Sequence, residues 1–167
     1  TARIQSLPKQ PPHSIEAEQS VLGGLLLNNA LYFELADKLA ESDFYRADHQ
    51  LIYRGIGELV GANKPCDFVT LTEHLRNQGR VDEAGGPAYV ASLAVDTYSI
   101  ANVLAYAEIV RERSVLRGLI AAGSDIGDLG YRPDGRSPPE LVDEAEQKVF
   151  ALRELGSRAR STYTPIG

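Results

Sequence analysis

SIANVLAYAEIVRERSVLRGLIAAGSDIGDLGYRPDGRSPPELVDEAEQKVFALREL, residues 99–155, is the stretch whose reading decides the fold. It predicts two long helices folded back on each other, 99–129 and 137–155, about 46 Å and 28 Å long at 1.5 Å per residue. The turn between them, 130–136, holds Pro133-Asp134-Gly135. Ser137-Pro138-Pro139-Glu140 then supplies an N-cap, proline at the first helical position and glutamate at N3, a strong helix-start signal. At 100° per residue, Leu104, Val115, Leu119, Ile126 and Leu129 share one stripe of the first helix, and Ile109, Leu116 and Ile120 a second. The second helix shows mainly one stripe: Leu141, Ala145, Val149 and Leu152. One stripe of the first helix can be buried in the hairpin, and the other needs the rest of the domain or a second chain. Ile109, Leu116, Val149 and Leu152 are therefore the self-association candidates. Gly118, Gly123 and Gly127 each cost roughly 1 kcal/mol relative to Ala unless they permit close helix approach.

Outside the hairpin the chain divides into shorter pieces. An extended arm, 1–13, carries Pro8, Pro11 and Pro12. A helical head, 14–96, follows with five short helices. Ser14 caps the first, which runs to about Leu27 with Glu16 and Glu18 near its start, where the dipole favours carboxylates. The second covers 31–39, and Phe44-Tyr45 is expected to plug the core as a pair. The third covers 48–60, the fourth opens on a capping box at Thr70-Leu71-Thr72-Glu73, and the fifth covers 88–95 after Gly85-Gly86-Pro87. With 97–155 as the hairpin, no useful strand alternation appears, and the class is all-α. Residues 156–167 read as the start of a linker to a further domain, and the lack of Met, even at position 1, points to a trimmed piece of a longer chain.

Totals narrow the function. At 167 residues there is room for one domain with a core and an appendage. A net charge of −6 disfavours tight nucleic-acid binding by this chain alone, leaving DNA contact weak or indirect. The single Cys66 excludes an internal disulfide framework and reads as a small semi-buried side chain rather than a nucleophile. No apolar run suits a membrane span or a signal peptide, so a cytoplasmic, membrane-free protein is expected. His13, His49 and His74 lack ligand spacing, so no metal site is expected. Glu16 and Glu18, two residues apart on a helix, point to different faces and make a poor acid–base pair. Asp48-His49 reads as a cap beside a half-buried imidazole, and Arg111, Arg113 and Arg117 as a solvated or ion-paired strip. The acidic second hairpin helix reads as a solvated face. No catalytic cluster emerges.

Several strings together carry a family likeness: PPHSIEAEQSVLGGLLL at 11–27, DFYRADHQLIYRGIGEL at 43–59, PCDFVTLTEHL at 65–75, GGPAYVASLA at 85–94 and SIANVLAYAEIVRERSVLRGLI at 99–120. Residues 11–155 resemble the N-terminal domain of DnaB-type replicative DNA helicases of bacteria. The resemblance implies a helical head and hairpin, dimers that build the three-fold collar of a hexamer, and recruitment of the C-terminal helicase-binding domain of primase. It also implies a RecA-like ATPase domain using ATP and Mg. This chain has no G-x-x-x-x-G-K-[ST] string, so no nucleotide cofactor and no catalysis are expected of it. Matching positions Glu16, Tyr89, Ile120 and Ile126 fall in the family's primase-responsive surface. A free-standing helical adaptor or helicase-loader-like regulator is the alternative, separable by whether a P-loop follows downstream of Gly167.

Overall fold

The computed structural model describes residues 10–96 and 102–160, with no side-chain account for 158–160. The expectations for 1–9, for the start of the hairpin at 97–101 and for 161–167 fall outside these residues. The described residues form seven helices and no strand: α1 (Ile15–Leu27), α2 (Leu31–Leu35), α3 (Ala47–Gly61), α4 (Phe68–Asn77), α5 (Pro87–Val95), α6 (Val103–Tyr131) and α7 (Pro138–Arg160), with a 3-10 turn at Glu41–Asp43. The all-α head and antiparallel hairpin are as expected.

Local chemistry explains most boundaries. The Ser14 hydroxyl accepts from the Ala17 N–H at 3.2 Å, leaving Glu16 and Glu18 in the first turn of α1. At the start of α7, Ser137 and Glu140 cap each other's backbone N–H reciprocally, at 3.3 and 3.4 Å. α4 differs from expectation. Asp67, not Thr70, is its N-cap: Asp67 Oδ1 accepts from the Thr70 N–H and Thr70 Oγ1 from the Asp67 N–H, both at 2.9 Å. A charged carboxylate is the stronger acceptor, and the Thr70 N–H holds the Asp67 carboxyl below its usual range. α2 ends at Leu35 rather than Leu39, yet Leu39 is still buried. α3 starts at Ala47, one residue earlier than expected, with Arg46 at its N-cap.

The head core gathers Leu22 and Leu25 of α1, Ile52 and Ile56 of α3, Leu71 and Leu75 of α4, and Val90 and Leu93 of α5. Phe44 fills it, packing on Tyr53 at 4.9 Å between ring centroids. Tyr45 does not follow: it turns outward and stacks on His13 at 4.2 Å, because successive residues of an extended segment face opposite ways. Cys66 is buried rather than semi-buried. Its backbone is clamped by the Asn29 side chain through two hydrogen bonds, and burial pushes its thiol up to about 12, where it stays protonated.

α6 departs most from the helical-wheel reading. Its first turns belong to the head: Val103, Ala107 and Val110 are buried in the head core, against α1 and the 41–43 turn. Gly24 makes that approach possible, since a Cβ there would lie 2.2 Å from Val103 Cγ2. Past Arg117, which still bonds the Asp43 and Pro12 carbonyls, α7 is the remaining neighbour. α7 seats on Gly118, Ala122 and Leu129; a Gly118 Cβ would meet Leu152 and Leu155 at 3.2 Å. Leu104 and Leu119, expected inside the hairpin, are exposed, and Val149 of α7 is exposed too. The seam follows small residues at 118 and 122 because they let two backbones approach, whereas the leucine-rich stripe would hold them apart.

Candidate interaction site

Two polar clusters hold the head together and set its surface. At the first, α1 contributes Glu18, α3 His49 and α5 Tyr89. Glu18 and His49 are fully buried, 1% and 0% exposed. His49 Nδ1 lies 2.8 Å from Glu18 Oε1, and His49 Nε2 2.5 Å from the Tyr89 hydroxyl. The Glu18 carboxylate also accepts the backbone N–H of Tyr45 at 2.9 Å and of Arg46 at 3.4 Å, so it organises the entry to α3. The sequence expectation gave Glu18 a helix-dipole role and Asp48 a capping role beside a half-buried His49. The imidazole is sealed between Glu18 and Tyr89 rather than half-buried, and Asp48, which does accept the His49 N–H in the first turn at 2.8 Å, also pairs with Arg46 at 2.5 Å. That bond raises the Arg46 guanidinium further, and burial raises the Tyr89 phenol.

The second cluster joins head to hairpin. Asp43, 1% exposed, accepts from Arg111 Nη1 and from the Ser114 hydroxyl, each at 2.7 Å, and its other oxygen accepts the Ala40 N–H at 2.7 Å. Arg111 also donates to the Leu155 carbonyl near the end of α7. Arg117 donates to the Asp43 carbonyl at 2.6 Å and to the Pro12 carbonyl at 2.8 Å, and lies over the Tyr45 ring. Two members of the expected arginine strip are thus fasteners inside the fold. Nothing in the wheel pattern marked them, since their partners stand far away in sequence.

The candidate residues fall in separate places. Glu16 is exposed on α1, one turn before Gln19, whose Nε2 donates to the Tyr89 hydroxyl at 3.2 Å. Glu16 and Gln19 also line a groove with Ser92, Val95 and Tyr106. Tyr89 is half-buried beside it. Ile120 and Ile126 stand on the distal part of α6, with Ile120 57% exposed and Ile126 half-buried. Of the self-association candidates, Leu116 is 43% exposed and Val149 exposed, while Leu152 is half-buried against α6 and Ile109 packs on the edge of the head core. Sequence reasoning missed Val142 and Phe150, which form an exposed apolar strip on α7 with Val149; Phe150 is 61% exposed. Their spacing, 142 to 149 to 150, carried the signal.

The chemistry of these surfaces suits protein contact. Leu104 and Leu116 line a second groove between α6 and the head, where Glu108 and Glu112 stand alongside Lys38 and Arg111. Carboxylates on the rims of both grooves do not fit a nucleotide phosphate, and the sequence holds no glycine-rich phosphate loop. Among the described residues no three His, Cys, Asp or Glu side chains gather as metal ligands, and no helix is long and apolar enough to cross a membrane.

Known proteins share this arrangement. The family model for the DnaB-like helicase N terminal domain matches residues 10–112. The replicative DNA helicase DnaB of Pasteurella multocida is 42% identical over 157 residues, covering 92% of this chain and 34% of that protein. The Haemophilus influenzae protein of the same name is 44% identical over 144 residues, covering 86% and 31%. The chain thus spans about a third of the length of these relatives. The crystal structure of the N-terminal domain of DnaB helicase from Mycobacterium tuberculosis matches with a TM-score of 0.82 and 37% identity, over 85% of this chain and 99% of that one. A structure described as a DnaB-like replicative helicase and its interactions with primase shares the fold, with a TM-score of 0.66 at 22% identity over 81% of this chain and 31% of that one. With the same head and hairpin, and sequence identity along nearly its whole length, the chain belongs to the family of DnaB-like helicase N-terminal domains.

Proposed function

We propose that this chain is the non-catalytic assembly and docking domain of a cytoplasmic replicative DNA helicase, pairing through its hairpins, building the three-fold collar of a hexamer and receiving primase at junctions between subunits. In this reading the head is 14–96, the hairpin 97–155, the arm 1–13, and 156–167 leads toward the RecA-like domain where ATP and Mg act. The observation that carries it is the apolar surface left on the hairpin after the head and α7 have covered what they can: Leu116, Leu119 and Ile120 on α6, and Val142, Val149 and Phe150 on α7. Burying such a strip against a second copy gains about 25 cal/mol per Å² before the cost of association. Exposed apolar residues in such number on a small chain suit an interface. Ile120 and Ile126 stand on the free part of the hairpin and Glu16 and Tyr89 on the head, so one docking surface using all four is best completed across two chains. A fold-mate described with its interactions with primase supports that partner.

Sedimentation velocity across concentration tests the assembly. The wild-type chain should form dimers or larger species by high micromolar concentration. Leu116→Glu should weaken association by at least about tenfold, because a buried unpaired carboxylate costs several kcal/mol, with helicity by circular dichroism retained. A wild-type chain that stays monomeric at high micromolar concentration overturns the reading.

A further inference from the structure

Tyr89 is held on every side that the fold can reach. Its ring edge lies against Gly85, where a Cβ would come within 2.6 Å of Cδ1, and the Arg46 guanidinium sits 5.2 Å from the ring centroid. Its hydroxyl meets His49 Nε2 at 2.5 Å and Gln19 Nε2 at 3.2 Å. One order of donors satisfies every contact in this chain. Glu18 already accepts two backbone N–H groups, so its carboxylate accepts from His49 Nδ1–H. With the proton on Nδ1, Nε2 offers an acceptor, and Tyr89 O–H donates to it. Gln19 Nε2–H₂ donates to the same phenol oxygen. The polar end of Tyr89 is therefore engaged within the head, while the residue as a whole stays half-buried at its surface.

We infer that His49, with Glu18 behind it, is a positioning residue that fixes the Tyr89 ring for a docking partner. This rests on the reading that Tyr89 belongs to the docking surface. α5 has only nine residues, and its N-cap, Gly86, makes no side-chain cap, so the helix does little by itself to orient one exposed aromatic. Without the hydroxyl bond the ring is held only by Gly85 and Arg46, and a partner must restrain what they leave free at a cost in affinity. The bond crosses from α5 to α3 and through Glu18 to α1, so the ring's place follows three helices rather than one.

The test measures calorimetric affinity of the chain for the C-terminal helicase-binding domain of primase in four variants: Tyr89→Ala, Tyr89→Phe, His49→Gln and the Phe/Gln double variant. Tyr89→Ala should weaken binding about tenfold or more, as expected when an aromatic anchor is truncated. His49→Gln should weaken it about fivefold, the size of one net hydrogen bond, and Tyr89→Phe, which also gives up the Gln19 bond, at least that much. The double variant should lose no more than Tyr89→Phe alone, since the bond to His49 is already broken in it. Proton NMR should show a slowly exchanging hydroxyl resonance that disappears in Tyr89→Phe, a signature that overall stability does not produce. Wild-type affinity in Tyr89→Ala removes Tyr89 from the docking surface and defeats the parent reading. A weakened Tyr89→Ala with a Tyr89→Phe at wild-type affinity overturns positioning alone, as does the absence of that resonance. Should His49→Gln not fold, Tyr89→Phe and the resonance decide the matter.

Discussion

Asp43 answers Arg111, Ser114 and the Ala40 N–H while nearly sealed from water. Asp43→Ala leaves a buried guanidinium without its counter-charge, and the expected loss is about 3–5 kcal/mol. Urea unfolding should show it as a lower midpoint at unchanged slope. A loss below about 1 kcal/mol would mean that water solvates Arg111 in the variant. Residues of this kind were illegible in the sequence. Ser14, Ser137 and Glu140 could be read directly because their partners lie three residues away. Glu18, Asp43 and Arg117 find their distant partners 27 to 105 positions along the chain, and only the folded packing decides which charged side chain is a fastener and which a solvated one.

Among the helices, the five of the head and the hairpin turn followed from capping and periodicity, and the α6 seam did not. A wheel drawn on α6 weights large apolar residues, whereas the actual contacts use Gly118 and Ala122 toward α7 and Val103, Ala107 and Val110 toward the head. Glycines that look alike in the sequence should therefore respond oppositely to alanine. Gly24→Ala puts a methyl into a fully buried Val103 and should cost about 1–3 kcal/mol by overpacking, which outweighs its gain in helix propensity. Gly123 has nothing within 4 Å of its Cβ position, so Gly123→Ala should stabilise the isolated chain by up to about 1 kcal/mol. Thermal melts of the two variants should shift in opposite directions. Equal shifts would mean that the α1–α6 contact relaxes at little cost.

Across the whole molecule, stability is uneven. The head has a continuous core, and the distal hairpin has one seam between two helices, with Tyr131 and most of 132–140 exposed. Amide exchange should follow this division: 120–131 and 139–150 should exchange well before α1 and α3 in dilute solution. They should slow by about tenfold or more as concentration rises, because a partner that binds only the formed hairpin stabilises it by mass action. Concentration-independent exchange would separate the exposed strip from any assembly. The guanidinium of Arg111 adds a mechanical consequence, since it grips the Leu155 carbonyl with one hand and Asp43 with the other. Traction on the trailing end of α7 is delivered to the 3-10 turn, which packs on α3 and α6, so the load reaches the seat of the head before it bends the hairpin tip.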